Sequence, residues 1–161
     1  MQGKRWATGA VLGMLLLGAA PSSWAQAQGP YQFHSVNPCR LVDTRLSGQV
    51  TGQYGPILTS GVERKFPVQG ACGVPVGAKA ATVNLTAVAP SGQGRLTMYP
   101  SGIATPTTSN INYPAGTTAL ANGAIVPLAD QVAQPMDIAI MPFLVGGGTV
   151  HVVLDVTGYF Q

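Results

Sequence analysis

The sequence predicts an all-β fold, a single antiparallel β-sandwich preceded by a cleaved signal peptide. Three observations predict it. Apolar and polar residues alternate in short stretches, and turn residues separate these stretches at intervals of about ten residues. No capped amphipathic stretch of helical length interrupts them. Short strands at this spacing are typical of jelly-roll or immunoglobulin-like sandwiches, and the strand order is left open between the two.

The N-terminal segment has the three parts of a secretory signal. Lys4 and Arg5 give it a positive start, residues 10–20 are apolar, and small residues precede a cleavage site after Ala25, with Ala27 as the alternative. The apolar run is shorter than the roughly 20 residues that a membrane span needs. We therefore expect a secreted or cell-surface protein with no membrane span in the mature chain.

Removal of this signal changes the charge of the chain. Residues 1–25 are the predicted signal peptide, 26–35 an N-terminal lead-in and 36–161 the β-sandwich domain. The full chain has 8 basic and 5 acidic residues, for a net charge of +3, and two of the basic residues leave with the signal. The mature chain is therefore nearly neutral, and nucleic acid is not an expected partner.

The chain has two cysteines, Cys39 and Cys72. Export places both in an oxidising compartment, where a disulfide is the expected state. In the chain-entropy model a loop of this length contributes about 3.8 kcal/mol at most. The alternative, a metal-binding or nucleophilic thiol, lacks an evident set of further ligands.

The strands are predicted from periodicity and turn residues. In residues 80–89 the apolar side chains alternate with Thr and Asn, and residues 149–159 have an apolar face formed by alternate residues, which predicts a central strand covered partly on both sides. The glycines at 146–148 predict a hairpin before it. The predicted strands are 33–36, 40–44, 64–68, 80–89, 95–99, 110–113, 121–128, 136–143 and 149–159.

Four ordered motifs give the mature chain a resemblance. They are PCRLVDTR at 38–45, a strand at 81–90 followed by GRLTMYP at 94–100, SNINY at 109–113 with AN at 121–122, and DVTGYF at 155–160. Together they resemble a family of bacterial exported β-domains with an R-L-x-D-T-R opening and a D-V-x-G-Y-F closing. Domains of that family occur alone or appended to secreted and cell-wall proteins. The resemblance implies a fold and a location, not an activity.

Two groups of residues are candidate ligand-binding sites. Asp43 and Arg45 lie two residues apart on a predicted strand, which places them on one face. With Arg40 they could form a polar ligand site, or they could be a structural ion pair with hydrogen bonds into a loop.

The second group combines amides and rings. Asn84, Asn112, Tyr99 and Tyr113 could contact a sugar, because amides bind hydroxyl groups and an aromatic ring stacks on the apolar face of the sugar. The alternative is that these asparagines, with Asn110 and Asn122, tie loops to strand ends.

No catalytic group is predicted. His151 and Asp155 share a strand face but lie about 13 Å apart. The acidic residues are scattered, and neither a G-x-S-x-G motif nor a calcium-loop motif occurs. His151 is interpreted as a surface or hydrogen-bonded strand residue. Neither a metal nor a cofactor is predicted, although calcium held by loop carbonyls is left open.

These observations predict a function by contact. The leading hypothesis is a non-enzymatic exported module that binds the cell envelope, matrix or a glycan, with an extracellular polymer such as a polysaccharide as its partner. The first alternative is a self-associating structural subunit of a coat or filament, because neutral exposed strand edges can pair with other copies. The second is a secreted hydrolase.

Overall fold

The structure is a computed structural model that describes residues 30–161. Two antiparallel sheets pack face to face around one apolar core, and no helix occurs among these residues. The prediction of an all-β sandwich is confirmed. The predicted signal peptide, residues 1–25, lies outside the described residues.

The chain forms nine strands. Their bounds are β1 (Phe33–Asp43), β2 (Leu58–Thr59), β3 (Arg64–Phe66), β4 (Ala80–Val88), β5 (Gly94–Pro100), β6 (Ile111–Tyr113), β7 (Ala119–Pro127), β8 (Ile138–Leu144) and β9 (Thr149–Phe160).

The strand order decides between the two predicted sandwich types. One sheet has the order β1-β9-β4-β7, and the short β2 pairs with β9 beyond the end of β1; the other has the order β3-β8-β5-β6. Apart from β2, the chain crosses between the sheets at each step from β1 to β5 and again from β6 to β9. The first and last long strands pair with each other. Two Greek keys interleaved in this way form a jelly roll.

The alternation of buried and exposed side chains along the strands shows which face of each sheet lines the core. In β4, Ala81, Val83, Leu85 and Ala87 are buried while the residues between them are partly exposed. The last strand, β9, lies between β1 and β4 as a central strand. Its outward-facing Val153 is only 4% exposed, so the prediction that β9 is partly covered on both sides is confirmed.

The first strands of the chain differ from the predicted ones. The predicted strands 33–36 and 40–44 are one strand, β1, with register shifts on both sides of residues 39–40. Pro38 lacks a backbone N–H, and the strand continues past it with an irregular ladder. The two-residue β2 was not predicted, because it is too short to show a period.

Cys39 of β1 and Cys72, in the loop before β4, form a disulfide. The prediction of one disulfide is confirmed, and such a bond fits an oxidising compartment.

Nothing in residues 30–161 forms a helix with the length and apolar character that a membrane crossing requires.

Candidate functional site

The outer face of the five-stranded sheet brings together Arg40, Asp43, Arg45 and Asn84. Strand register puts Arg40 of β1 opposite Asp155 of β9, and Asp155 opposite Asn84 of β4. We call this surface the long face. It is formed by Phe33, Arg40, Asp43, Asn84, His151, Asp155 and Phe160, with Arg45 just beyond the end of β1.

Four charged side chains form a continuous network on the long face. Arg40 donates from Nε and Nη2 to the two carboxylate oxygens of Asp155, at 2.8 and 3.1 Å. Arg45 donates to Asp43 from Nε at 2.8 Å and from Nη2 at 2.6 Å, and its backbone N–H donates to the same carboxylate at 3.1 Å. Arg40 Nη1 lies 3.6 Å from Asp43 Oδ2 and joins the two pairs. Two guanidinium groups and two carboxylates make the network electrically neutral.

The contacts within this network shift the pKa values of its side chains. Hydrogen bonds from Arg45 lower the pKa of the Asp43 carboxyl, and they outweigh the burial that would raise it. Hydrogen bonding to Asp155 raises the pKa of Arg40, and hydrogen bonding to Asp43 raises that of Arg45. Asp43 is 2% exposed and bonds into the loop that follows β1. The structural ion pair offered as the alternative is therefore present, although β1 ends at Asp43 and Arg45 lies in the loop.

A pocket of about 410 Å³ opens at one end of the long face. This Arg45 pocket lies where β1 gives way to its loop, so Arg45 belongs both to the network and to the pocket wall. Its volume falls in the range of about 300–1,000 Å³ that is usual for small-molecule sites. It is lined by Thr44, Arg45, Leu46, Ser47, Gly48, Gly55, Pro56, Ile57 and His151.

Thr44 and His151 are hydrogen-bonded in the wall of this pocket. Thr44 Oγ1 lies 3.2 Å from His151 Nδ1 and also accepts the N–H of Val152 at 2.8 Å. A catalytic histidine needs a third group to orient it, but Asp155 is bonded to Arg40 instead. Thr44 is buried. The interpretation of His151 as a hydrogen-bonded strand residue is confirmed.

Two phenylalanines, one exposed and one half-buried, lie at the other end of the long face. Phe33 and Phe160 face each other across the β1–β9 ladder with ring centroids 5.3 Å apart, and Phe33 is 53% exposed. The Phe33 ring covers Gly158, where a Cβ would collide with it. The sequence analysis missed this pair, because only the pairing of the first strand with the last brings the two residues together. From Phe160 to His151 the long face extends about 30 Å along β9.

Tyr99 and Tyr113 do not form an exposed sugar-stacking surface. Tyr99 is 2% exposed, and its hydroxyl bonds to Glu63 and Thr105. Tyr113 belongs to the core cluster. Both rings are covered by the protein, so the hypothesis that they stack on a ligand does not agree with their placement.

The asparagines have separate positions. Asn110 accepts the N–H of Met98, and Asn122 donates to the carbonyl of Asn110, which ties the loop before β6 to two strands. Asn112 is exposed on the edge strand β6 and donates to Ser109. Asn84 is therefore the one asparagine of the predicted ligand set on the long face.

A second, smaller pocket of about 240 Å³ lies at one end of the four-stranded sheet. Arg95 of β5 is opposite Phe143 of β8 and Asn112 of β6. Its guanidinium lies over the Phe143 ring, 4.5 Å from the centroid. We call this the Arg95 pocket; it is lined by Gln93, Gly94, Arg95, Asn112, Tyr113, Phe143 and Val145.

Among residues 30–161, no group of three or more His, Cys, Asp or Glu side chains is placed to hold a metal ion.

Comparison with protein-family models, with curated proteins and with solved structures finds no match. The resemblance to exported bacterial β-domains stays a prediction.

Proposed function

We propose that the protein is a non-enzymatic exported module that binds a neutral glycan of the cell envelope or extracellular matrix along the long face. The observation that carries the proposal is the composition of that face. A neutral network of hydrogen-bonding groups fills its middle, the pair of Phe33 and Phe160 lies at one end and the Arg45 pocket opens at the other.

The charged network suits hydroxyl groups. Guanidinium N–H groups donate and carboxylate oxygens accept, so a sugar hydroxyl can do both at once on an Arg–Asp pair. The Asn84 amide adds one more donor and acceptor beside Asp155. Because the two positive and two negative groups offset each other, the face has little attraction for an anionic polymer.

The phenylalanine pair supplies the apolar contact. The negative π-face of an aromatic ring attracts the weakly positive C–H groups on one side of a sugar ring. A length of about 30 Å between the phenylalanines and His151 favours a chain of several sugar units over a single sugar.

The arrangement of the polar groups supports a role without catalysis. Asp43 and Asp155 are both held in ion pairs with arginines, and His151 is bonded to Thr44. A general acid or base must instead reach the reacting group with its proton-transferring atom. Export is supported by the Cys39–Cys72 disulfide.

Cosedimentation tests the proposal. Purified, oxidised protein is mixed with an insoluble neutral glucan, with isolated cell walls or with no polymer. We expect it to pellet only with polymer. Phe33→Ala should weaken binding about tenfold, the value of one good aromatic contact. Asp155→Asn should weaken it by a similar factor, because it removes an acceptor and releases Arg40.

Phe143→Ala is the matched control. Phe143 is 45% exposed, much like Phe33, but lies on the other sheet. The proposal predicts binding to the neutral glucan equal to wild type for this variant. Equal loss in both variants, or full binding by Phe33→Ala, would contradict it, and so would a protein that stays in solution with every polymer.

Self-association is the second candidate, and β7 favours it. This strand pairs only with β4, has nine uncharged residues and is largely exposed. An open neutral edge can pair with the same edge of another copy. Pellets in the tube without polymer, together with a mass in sedimentation equilibrium that rises with concentration and falls in Ile125→Lys, would support assembly instead of the glycan module.

A further inference from the structure

The Arg95 pocket holds a guanidinium group without a partner. The Arg95 side chain makes no ion pair and no hydrogen bond within residues 30–161, the part of the chain that contains all five acidic residues. Those carboxylates are bonded elsewhere. The Phe143 ring holds the guanidinium by a cation–π contact, which leaves its in-plane N–H groups free to donate.

A second unpartnered donor belongs to the same pocket. Tyr113 is 3% exposed, and its hydroxyl is the one buried side-chain polar atom in the described part of the chain that has no hydrogen-bond partner. Such groups are rare in native structures because each costs free energy. The hydroxyl lies beside Gly94, where a Cβ would be 3.0 Å from it and would also collide with the Phe143 carbonyl. Glycine is therefore the residue that leaves room for the phenol there.

The remaining polar groups of the pocket add donors and no negative charge. Asn112 and Gln93 contribute amides, and no Asp or Glu lines the pocket. Burial raises the pKa of Tyr113 to about 12, so the phenol keeps its proton and donates at neutral pH. The volume of about 240 Å³ suits one small group rather than a whole ligand.

We propose that the Arg95 pocket binds the oxyanion group of a ligand, a carboxylate or a phosphate or sulfate ester, through the Arg95 guanidinium, with the Tyr113 hydroxyl as a second donor from the pocket wall. Guanidinium groups bind such anions through paired N–H donors. This site is independent of the long face, whose arginines are already paired with carboxylates.

Titration followed by NMR tests the site and the source of the anion. Glucuronate, glucose 6-phosphate and glucose are added separately to the isotope-labelled oxidised protein in a low-salt buffer free of phosphate. We expect shifts at residues 93–95, 112–113 and 143–145 with one or both anionic sugars and none there with glucose. Glucuronate alone identifies a carboxylate site, glucose 6-phosphate alone a phosphate or sulfate site, and both a general oxyanion site.

Three variants complete the test. Arg95→Gln should weaken binding about tenfold or more, because charge-assisted hydrogen bonds are the strong ones. Tyr113→Phe should weaken it about threefold or more through loss of one donor. Lys79→Gln removes one positive charge outside the pocket and should bind like wild type. Urea unfolding of each variant confirms that it is folded.

Three results would overturn the proposal: equal shifts with glucose, no shifts in the pocket with either anion, or wild-type affinity in Arg95→Gln. Wild-type affinity in Tyr113→Phe alone would overturn the part assigned to the phenol.

Discussion

The outer faces of the two sheets hold their arginines in opposite states. On the five-stranded sheet, Arg40 and Arg45 each bond a carboxylate through two nitrogens. On the four-stranded sheet, Arg95 rests on a phenylalanine ring, and no carboxylate of residues 30–161 pairs with it. A paired arginine stabilises the fold and presents a neutral surface, whereas an unpaired one keeps its affinity for an anion. Arginine therefore contributes to two kinds of surface: a neutral one where a carboxylate pairs with it, and an anion-binding one where no carboxylate does.

Among substitutions on the two outer faces, loss of the Asp43 carboxylate should lower the free energy of unfolding most. Asp43→Asn removes the carboxylate partner of Arg45, whereas Arg40 keeps its pair with Asp155. We expect a loss of about 2 kcal/mol in the free energy of unfolding, below the usual cost of a broken buried pair because both guanidinium groups can reach water.

Arg95→Gln should change the free energy of unfolding by less than about 0.5 kcal/mol, as surface substitutions usually do. Urea unfolding of both variants measures the contrast, with Asp130→Asn as the control for loss of an exposed carboxylate. Equal effects of Asp43→Asn and Arg95→Gln would break the comparison.

The contribution of Asp43 should also depend on pH. Its pKa in the folded protein is lowered from the usual 3.8, so the unfolded chain takes up the proton first as the pH falls. The stabilisation is complete above pH 3.8 and is lost as the pH falls below that value towards the folded pKa. The difference in unfolding free energy between wild type and Asp43→Asn should therefore shrink in this range. A difference that stays constant from neutral pH into acid would show that the carboxylate charge contributes nothing.

Tyr99 and Tyr113 provide a second contrast, in which each substitution has a smaller effect than Asp43→Asn. Tyr99→Phe removes hydroxyl bonds to Glu63 and Thr105 and should cost about 1.5 kcal/mol of unfolding free energy. Tyr113→Phe removes an unsatisfied hydroxyl and should leave stability unchanged or raise it by up to about 1 kcal/mol. The same urea experiment measures both. A loss in Tyr113→Phe as large as that in Tyr99→Phe would mean that the Tyr113 hydroxyl has a partner after all.

The central strands could be predicted because each buries one regular face. Alternation in β4 and β9 placed both in the sheet and identified β9 as central. The ion pair of Asp43 and Arg45 followed from their spacing of two residues, even though the strand ends between them. Cys39 and Cys72 had no other cysteine to pair with.

The remaining features depend on topology and loop placement. Phe33 and Phe160 meet only because the first and last long strands pair, which no local pattern indicates. Tyr99 alternates outward from β5, yet its hydroxyl is bonded by side chains from outside the strand, Glu63 and Thr105, and its ring is buried. Whether Arg95 finds a carboxylate depends on residues far away in the chain, so its unpaired state could not be inferred from the sequence.

The most direct test of the long face is an NMR titration of the labelled oxidised protein with a soluble neutral oligosaccharide cut from the polymer that pellets it. The account predicts shifts along residues 33–43 and 151–160 and at Asn84, and unchanged signals at residues 93–95, 112–113 and 143–145. Shifts confined to the four-stranded sheet or to the β7 edge would contradict it.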